Sequence, residues 1–510
     1  MTQQVGLMPE GRQEPIELLE TGVPNLDRVL GGGLRRASMT LVIGAPGTGK
    51  TILAQQIAFQ FVERGAPALY LTGYSETHDK LLANGRGLSF FAPEVVGRQI
   101  QFLSLMDLLQ QGAVEAEEAI LATAREQRAA LVVLDGFRSM RRLLADDLEA
   151  AHFLYSLGAK LALFGATSLV IVEGDADESA RYPELTVCDA ILSLRRDLQG
   201  TRYRRLLDVT KVRGAAPLIG THSFTIGKDG ITVYPRLESI VVPAEPSWTG
   251  ERAGFALAEI DAMVGGGLTV GTTTLVAGSP GIGKTLLGLH FTSAGVRAQE
   301  AALFLGFMED RIQLRAKARA FGLDLAAAEA SGQVRLMILP PYELDADYVA
   351  DLLCKDIEQR GVHRLVIDSV AELDRGLPTA ERKSDFLAAL ITYLRGRDVT
   401  TYATLDINTI VGPTLEFAGT PLSVVAENLI VLRYAEYRNQ LHRLISVLKI
   451  RYSNYDRTLR EFTITEGRGI ELLGPAPPAA GLLTGTALPL AEPTAPQQPD
   501  ESEAGPWQPS

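Results

Sequence analysis

Two glycine-rich segments of nearly the same spelling constrain this chain more than any other feature. They begin at Gly44 and Gly278, 234 residues apart in a chain of 510 residues, and they read GAPGTGKT and GSPGIGKT. Both match GxxxxGK[ST], in which backbone N–H groups surround phosphate oxygens, the lysine reaches the outer phosphates and the hydroxyl binds Mg²⁺. The sequence therefore predicts two nucleotide sites, formed by Gly44, Gly47, Thr48, Gly49, Lys50 and Thr51 and by Gly278, Gly281, Ile282, Gly283, Lys284 and Thr285.

The residues around each glycine-rich segment fit a phosphate loop between a strand and a helix. Met39–Ile43 and Thr273–Ala277 are short apolar runs typical of buried strands, and Ile52–Phe61 and Leu286–Ala294 have apolar spacing compatible with helices. Each loop then opens onto a helix N-terminus, where the partial positive charge favours an anion.

The repetition extends beyond the loops and predicts the fold class. The glycine turn Gly31–Leu34 recurs as Gly265–Leu268, and the apolar run Leu131–Asp135 recurs as Arg364–Asp368. Apolar strands alternating with helical segments indicate an α/β fold with mainly parallel sheets covered by helices. We predict two tandem P-loop NTPase domains at residues 16–242 and 249–473, and a disordered tail rich in proline and alanine at 474–510.

Charge and cysteine content narrow the class of protein. The formal net charge of −12 argues against a large non-specific nucleic-acid surface, which needs an excess of lysine and arginine. Cys188 and Cys354 fall one in each half, so neither half has the thiols for a disulfide framework or a thiolate metal cluster. With no apolar run long enough to cross a bilayer, we expect a cytoplasmic protein without membrane partners.

An aspartate ends an apolar strand in each half. Asp135 and Asp368 would there lie beside the phosphate loops, where each can hold Mg²⁺ together with Thr51 or Thr285. An aspartate at such a place is often only a cap or turn residue, but the matching second copy favours the metal-binding interpretation.

Hydrolysis also requires a group that orients or deprotonates water, expected beyond the strand that follows the first helix. One glutamate stands there in each half, Glu76 and Glu309. We predict that these are the catalytic bases. The competing interpretation is that they cap the following helix.

The tandem loops, the GGGL turns and two Lys-x-Arg segments resemble the KaiC family of RecA-type ATPases over about residues 16–470. The resemblance implies two RecA-like domains that assemble as a homo-hexameric double ring with ATP in clefts between subunits. It also implies that Lys211 and Arg213, and Lys449 and Arg451, reach the γ-phosphate held by the neighbouring subunit. Side chains two apart on a strand point to one side, so each pair can converge on one target. A single Lys-x-Arg pair could equally be part of a solvated edge strand, but its recurrence in both halves argues against that interpretation.

Three positions depart from the clock-type members of that family. Those members carry two adjacent glutamates after the second strand, whereas this chain has Ser75 and Met308 at the first of these positions. Either turnover is slow or the remaining glutamate has taken the role. At the family's adjacent phosphorylated serine and threonine this chain has Ser423 and Val424, which excludes a two-site cycle there and leaves autophosphorylation of Ser423 as a hypothesis.

The sequence thus favours an ATPase that uses ATP and Mg²⁺ and whose nucleotide state drives signalling or the binding of a partner protein that it does not identify. Two alternatives remain open. RecA-like cores also serve as DNA-dependent ATPases of the RecA/RadA type, although the acidic balance weighs against this. A nucleotide-gated scaffold with negligible turnover is compatible with Ser75 and Met308.

Overall fold

The computed structural model describes residues 17–73, 83–140, 143–144, 146–174, 184–199, 201–243, 249–342, 344–407, 426–476, 479–480 and 488–489. The chain forms two compact units: the first comprises the residues up to Ile240 together with Asp347–Asp351, and the second comprises the remaining residues from Val241. None of the helices in these residues is both long and apolar enough to cross a bilayer.

The first unit contains eleven described strands. They are β1 (Leu18–Leu19), β2 (Leu34–Arg35), β3 (Met39–Gly44), β4 (Ala68–Thr72), β5 (Ile100–Ser104), β6 (Leu131–Asp135), β7 (Thr167–Glu173), β8 (Ala190–Gln199), β9 (Arg202–Val212), β10 (Thr221–Gly227) and β11 (Gly230–Tyr234). Its helices are α1 (Leu26–Leu30), α2 (Lys50–Glu63), α3 (Leu105–Leu109), α4 (Ala113–Gln127), α5 (Phe137–Met140), α6 (Asp147–Leu163), α7 (Glu184–Val187) and α8 (Leu237–Ile240), with a 3₁₀ turn at Pro93–Val95.

Nine of these strands form one sheet in the order β11-β10-β9-β8-β3-β7-β6-β4-β5. The pairs from β8 to β5 are parallel, and β9, β10 and β11 extend the sheet in antiparallel fashion. Successive residues of the central strand β3 belong to cores on opposite faces: Leu41 and Ile43 lie in one cluster and Val42 in the other. Helices therefore cover both faces, which is why β3 is continuously apolar.

The second unit repeats this arrangement. Its strands are β12 (Arg252–Ala253), β13 (Leu268–Thr269), β14 (Thr273–Gly278), β15 (Ala301–Gly306), β16 (Val334–Ile338), β17 (Val362–Asp368), β18 (Thr400–Asp406), β19 (Asn428–Tyr437), β20 (Gln440–Lys449), β21 (Arg460–Thr465) and β22 (Gly469–Pro475). Its helices are α9 (Ala258–Met263), α10 (Lys284–Arg297), α11 (Arg311–Ala320), α12 (Leu325–Ala330), α13 (Ala346–Arg360), α14 (Val370–Arg375) and α15 (Ala380–Arg395).

The second sheet has the order β16-β15-β17-β18-β14-β19-β20-β21-β22, which matches the first sheet strand for strand. The duplication inferred from the two phosphate loops thus covers the whole of each unit. The predicted fold class, two tandem mainly parallel α/β domains of the P-loop type, is confirmed.

The end of the second unit differs slightly from the expectation. Strand β22 continues to Pro475 because it pairs with β21, so ordered structure passes the predicted limit at residue 473. Beyond it, Ala479–Ala480 (β23) pairs with Leu488–Pro489 (β24). The rest of the predicted tail lies outside the described residues.

Candidate nucleotide sites

The first phosphate loop connects β3 to α2. Gly47 and Gly49 have φ of 75° and 110°, a region that favours glycine, so the two glycines let the backbone turn around the loop. Lys50 is only 6% exposed, and its Nζ donates to the carbonyls of Gly44 at 2.8 Å and Ala45 at 2.9 Å. The ammonium group is therefore held at the loop in which an anion would lie.

The second loop repeats this geometry between β14 and α10. Gly281 and Gly283 have φ of 74° and 122°. Lys284 donates to the carbonyls of Gly278 and Ser279, both at 2.9 Å, and lies 2.7 Å from the carboxylate of Asp406. Both loops thus place a buried lysine at the N-terminus of a helix, as the GK[ST] spelling predicts.

Burial shifts the pKa of Lys50, the lysine of the first phosphate loop. It lowers the pKa of Lys50 below the ordinary value, because a desolvated ammonium is less stable than a hydrated one. The carboxylates of Glu173 and Asp135 oppose this shift. A bound polyphosphate would add negative charge and stabilise the protonated lysine further.

In the second unit a hydroxyl and a carboxylate of the predicted metal site are in contact. Thr285 Oγ1 donates to Asp368 Oδ2 at 2.7 Å, and Thr404 Oγ1 donates to Asp368 Oδ1. Hydroxyl and carboxylate oxygens are the hard ligands that Mg²⁺ prefers, so this donor set fits the ion. Thr285 and Asp368 are the residues that would hold it.

The first unit has the same residues in a different hydrogen-bonding arrangement. Thr51 is the second residue of α2 and Asp135 is the last residue of β6. Asp135 is 7% exposed and accepts a 2.8 Å hydrogen bond from the buried Tyr70 hydroxyl. The Tyr70 position is Phe304 in the second unit, because the two residues pair with the equivalent Val133 and Val366. Among the described residues, a phenol thus contacts this carboxylate in the first unit, and two threonine hydroxyls contact it in the second.

A cleft of about 240 Å³ in the second unit brings the predicted residues together. Its lining includes Lys284, Thr285, Glu309 and Asp368. Glu309 Oε1 forms an ion pair with Lys317 on α11, whereas Glu309 Oε2 is buried and has no hydrogen-bond partner among the described residues. One carboxylate oxygen therefore remains as an acceptor at the wall of the cleft.

The helix that follows Glu309 has a different cap. Asp310 is the N-cap of α11: its side chain accepts from Gln313 N at 2.8 Å, and its own N–H donates to the Gln313 side chain at 3.1 Å. This is a complete capping box. The interpretation of Glu309 as the helix cap is therefore wrong, and its side chain lines the cleft instead.

The two Lys-x-Arg segments occupy equivalent positions at the ends of β9 and β20. Lys211 Nζ donates to the carbonyls of Leu185 at 3.3 Å and Thr186 at 3.2 Å, and Lys449 Nζ donates to the carbonyl of Ala426 at 2.6 Å. The lysines thus contact the segment that leads into β8 or β19.

The arginines lie just beyond the strands. The guanidinium of Arg213 lies 3.7 Å from Asp189, and the backbone N–H of Arg451 donates to Asn428 Oδ1 at 3.3 Å. Neither Lys449 nor Arg451 belongs to the described lining of the cleft in the second unit.

The structure also shows carboxylates that the sequence interpretation missed. Asp406 ends β18 and pairs with Lys284, and Glu173 ends β7 in the equivalent position of the first sheet. The signal was present, since each is an acidic residue at the end of an apolar strand. Two predicted site residues, Glu76 and Ser423, lie outside the described residues, as does Ser75.

Comparisons with known proteins agree with this geometry. The family model described as "ATPase: KaiC" matches the chain twice, at residues 19–238 and 256–476. The chain is 28% identical over 498 residues to the "Circadian clock protein KaiC3" of Synechocystis sp., covering 95% of this chain and 97% of that one. It is 28% identical over 469 residues to the "Circadian clock oscillator protein KaiC" of Rippkaea orientalis, covering 90% and 89%. For the protein of that name from Synechococcus elongatus the values are 27% over 465 residues, 89% and 88%. With two matched domains, each built around a phosphate loop, a strand-end aspartate and a nine-stranded sheet, the chain belongs to the KaiC family of ATPases.

Proposed function

We propose that the chain binds and slowly hydrolyses ATP at two sites, one in each unit. The observation that carries this proposal is the cleft of the second unit, whose walls combine the phosphate loop, Thr285, Asp368 and Glu309. These groups serve different parts of one reaction, and their convergence is unexpected for residues that only stabilise a fold.

Each residue has a distinct task in that proposal. Backbone N–H groups of the loop and the ammonium of Lys284 would bind the phosphates, and Thr285 with Asp368 would hold Mg²⁺. The ion would neutralise charge on the transferred phosphoryl group. The free Oε2 of Glu309 would accept a hydrogen bond from the attacking water and orient it.

The surroundings of Glu309 explain why turnover should be slow. Its other oxygen is bound to Lys317, so only one oxygen of the carboxylate is left to orient a water. Met308, which precedes it, is 70% exposed and has no group that can activate water. The same two observations support the alternative of a nucleotide-gated scaffold that binds ATP and turns it over negligibly.

The assembly that we propose is a homo-hexameric double ring with ATP bound between subunits. Two features support it: membership of the KaiC family, and the position of Lys449 and Arg451 outside the lining of the cleft in their own unit. A neighbouring subunit would then supply the cations that stabilise the transition state. Lys211 and Arg213 would act in the same way in the first unit.

The output that we propose is a nucleotide-dependent change in partner binding. Ordering of segments by a γ-phosphate is a known physical route from hydrolysis to altered surfaces. The relatives in Synechocystis and Synechococcus carry the name of circadian clock proteins, which makes a signalling role the first to test here. The partner protein is not identified.

Autophosphorylation of Ser423 is a further proposal, which rests on the position of that serine in the sequence. Mass spectrometry after incubation with Mg-ATP tests it directly. A phosphate on the peptide that contains Ser423, lost in Ser423→Ala, would support kinase activity. An unmodified peptide in a sample that hydrolyses ATP would exclude it.

One experiment separates the proposed functions. The size of the protein, phosphate release and single-stranded DNA stimulation would be measured in one preparation, with and without Mg-ATP. Phosphate release that is lost in Lys50→Ala plus Lys284→Ala and unaffected by DNA supports the ATPase. ATP-dependent assembly without phosphate release supports the scaffold, and salt-sensitive stimulation by DNA supports a DNA-dependent ATPase.

A further inference from the structure

A second cavity lies in the first unit, at the edge of the sheet opposite the phosphate loop. Its volume is about 600 Å³, which is within the range of small-molecule sites. Ala66, Ala130 and Ala166 line it, and these residues precede β4, β6 and β7. The cavity therefore opens where the parallel strands begin, whereas the loop after β3 lies where they end.

The interior of this cavity is apolar. Leu18 of β1 is 36% exposed and gives the cavity an aliphatic face, and the buried Phe61, Leu161, Ala124 and Ala129 lie behind the surface. Phe164, just after α6, is 45% exposed and adds an aromatic face to the lining. An aliphatic or aromatic group bound there would bury part of its surface against these residues, which favours binding.

The rim of the cavity is basic. Arg36, Arg64, Arg125 and Arg128 line it together with one carboxylate, Glu20. Arg36 is bound to Glu17 at 2.7 Å and Arg64 to Glu20 at 3.1 Å.

The other two arginines of the rim are not neutralised in this way. The Arg125 guanidinium lies 4.4 Å from the centre of the Phe164 ring. No described carboxylate lies within ion-pair distance of Arg125 or Arg128. Two positive charges thus remain beside an apolar cavity.

The equivalent positions of the second unit contain different residues. Positions of the two units can be matched through their sheets. Leu131 of β6 pairs with Ala68 of β4, and Arg364 of β17 pairs in the same way with Ala302 of β15; the helices before these strands, α4 and α13, have equal length. By this register Arg125 corresponds to Glu358, and Phe164 to Arg397. Glu358 and Arg397 form an ion pair with each other at 2.9 Å, so the charges there cancel.

The position of Phe61 also has a different residue in the second unit. Gly295 stands where the first unit has Phe61, and the space beside it is taken by the side chain of Arg364. Arg364 is 3% exposed and binds Glu300 and the carbonyls of Gly254 and Phe291. The second unit therefore fills and neutralises a place that the first unit leaves open and positively charged.

We propose that the cavity of the first unit binds a small amphipathic anion, a molecule with an aliphatic or aromatic body and a carboxylate or phosphate head. The body would enter the apolar interior, and the head would bind Arg125 and Arg128 at the rim. Guanidinium groups bind both heads in bidentate fashion, so the proposal rests on their shared chemistry. This site is separate from the nucleotide sites and does not depend on the proposed ATPase activity.

Calorimetry on the full chain with octanoate, octyl phosphate and octanol tests the proposal. Saturating Mg-ADP is included so that the phosphate loops are not available to octyl phosphate. We expect one octanoate or octyl phosphate per chain, with octanol binding about tenfold more weakly. Comparing the affinities of octanoate and octyl phosphate shows whether the rim prefers a carboxylate or a phosphate.

Variants locate the binding. Arg125→Gln plus Arg128→Gln should weaken both anions about tenfold and leave octanol unchanged, with unaltered ATP hydrolysis and thermal unfolding. Arg360→Gln plus Arg397→Gln removes the same charge from the second unit and should change nothing. No binding of either anion at about 1 mM, or binding that is equal in the two double variants, would overturn the proposal.

Discussion

The hydroxyl of Thr285 and the carboxylate of Asp368 are joined by a 2.7 Å hydrogen bond, which links the start of α10 to the end of β17. These two elements are far apart in sequence, and each carries one predicted ligand of Mg²⁺. The contact shows that the phosphate loop and the strand-end aspartate form one site in the second unit. The chemistry of that unit can therefore be tested residue by residue.

Asp368→Asn should lower Mg-ATP hydrolysis at the second site by on the order of 10–100-fold and weaken ATP binding much less. The amide keeps the hydrogen bond from Thr285 but removes the negative charge that holds the ion. Phosphate release is measured in a Lys50→Ala background, so that the second site dominates. Asp135→Asn, measured with Lys284→Ala, is the matched variant of the first unit. Equal losses in binding and turnover would show that Asp368 supports structure rather than the metal.

Glu309→Gln should reduce hydrolysis at the second site by about 100-fold, because an amide cannot accept a proton from water. Lys317→Gln should instead leave hydrolysis intact, since Lys317 binds the Glu309 oxygen that is not proposed to orient water. The same Lys50→Ala background isolates the site. Asp310→Asn is the control for α11, whose cap an asparagine preserves. An unchanged rate of hydrolysis in Glu309→Gln would remove this residue from the mechanism. Glu76→Gln tests the equivalent glutamate of the first half of the chain.

Lys449 and Arg451 should act on ATP held by a neighbouring chain. Two variants test this, and both also carry Lys50→Ala to silence the first site. The first has Lys449→Ala plus Arg451→Ala, the second has Lys284→Ala, and each alone should lack hydrolysis at the second site. Mixed in equal amounts with Mg-ATP, they should regain part of the activity, because some interfaces combine an intact loop with intact cations. Activity that stays at the level of the separate variants contradicts the trans role.

His290 predicts how the second unit responds to acid. It is 6% exposed on α10, its Nε2 has no described hydrogen-bond partner, and burial together with the charge of Arg297 lowers its pKa to about 4. The protonated form is thus favoured in the unfolded chain. The free energy of unfolding should fall as pH decreases from about 6.5 to about 4, by about 2–3 kcal/mol from this group.

The first unit provides the control for that prediction. At the equivalent position, Gln56 exchanges two hydrogen bonds with the backbone of Ile231, at 2.7 Å and 3.2 Å. His290→Gln should therefore stabilise the second unit and remove its share of the pH dependence. Denaturant unfolding at several pH values measures this difference between the two proteins. Identical pH dependence in both would mean that His290 is not the responsible group.

Much of the fold could be predicted from the sequence because the determining patterns are local and occur twice. The run from Thr273 to the phosphate loop specifies a buried strand, as observed, and the apolar spacing of Leu286–Ala294 specifies a helix, which in the structure begins two residues earlier at Lys284. The position of Asp368 followed in the same way from the end of an apolar run. Repetition turned weak local signals into a reliable prediction of two equivalent units.

Other features depend on contacts that no local pattern contains. The ion pair of Glu309 with Lys317 forms because α11 begins at Arg311 and carries Lys317 next to Glu309, which lies before the helix. The cavity of the first unit depends on Arg64, which follows α2, on Arg125, which lies on α4, and on small side chains such as Ala66 and Ala130. Such arrangements follow from tertiary packing, which composition and spacing do not specify.

The number of nucleotides bound per chain tests the central claim most directly. Calorimetry with a non-hydrolysable ATP analogue and Mg²⁺, on protein freed of bound nucleotide, should give two per chain. Lys50→Ala and Lys284→Ala should each reduce this number to one, and the double variant to zero. Absence of binding in the unaltered protein, or a stoichiometry that both lysine variants leave at two, would contradict the account.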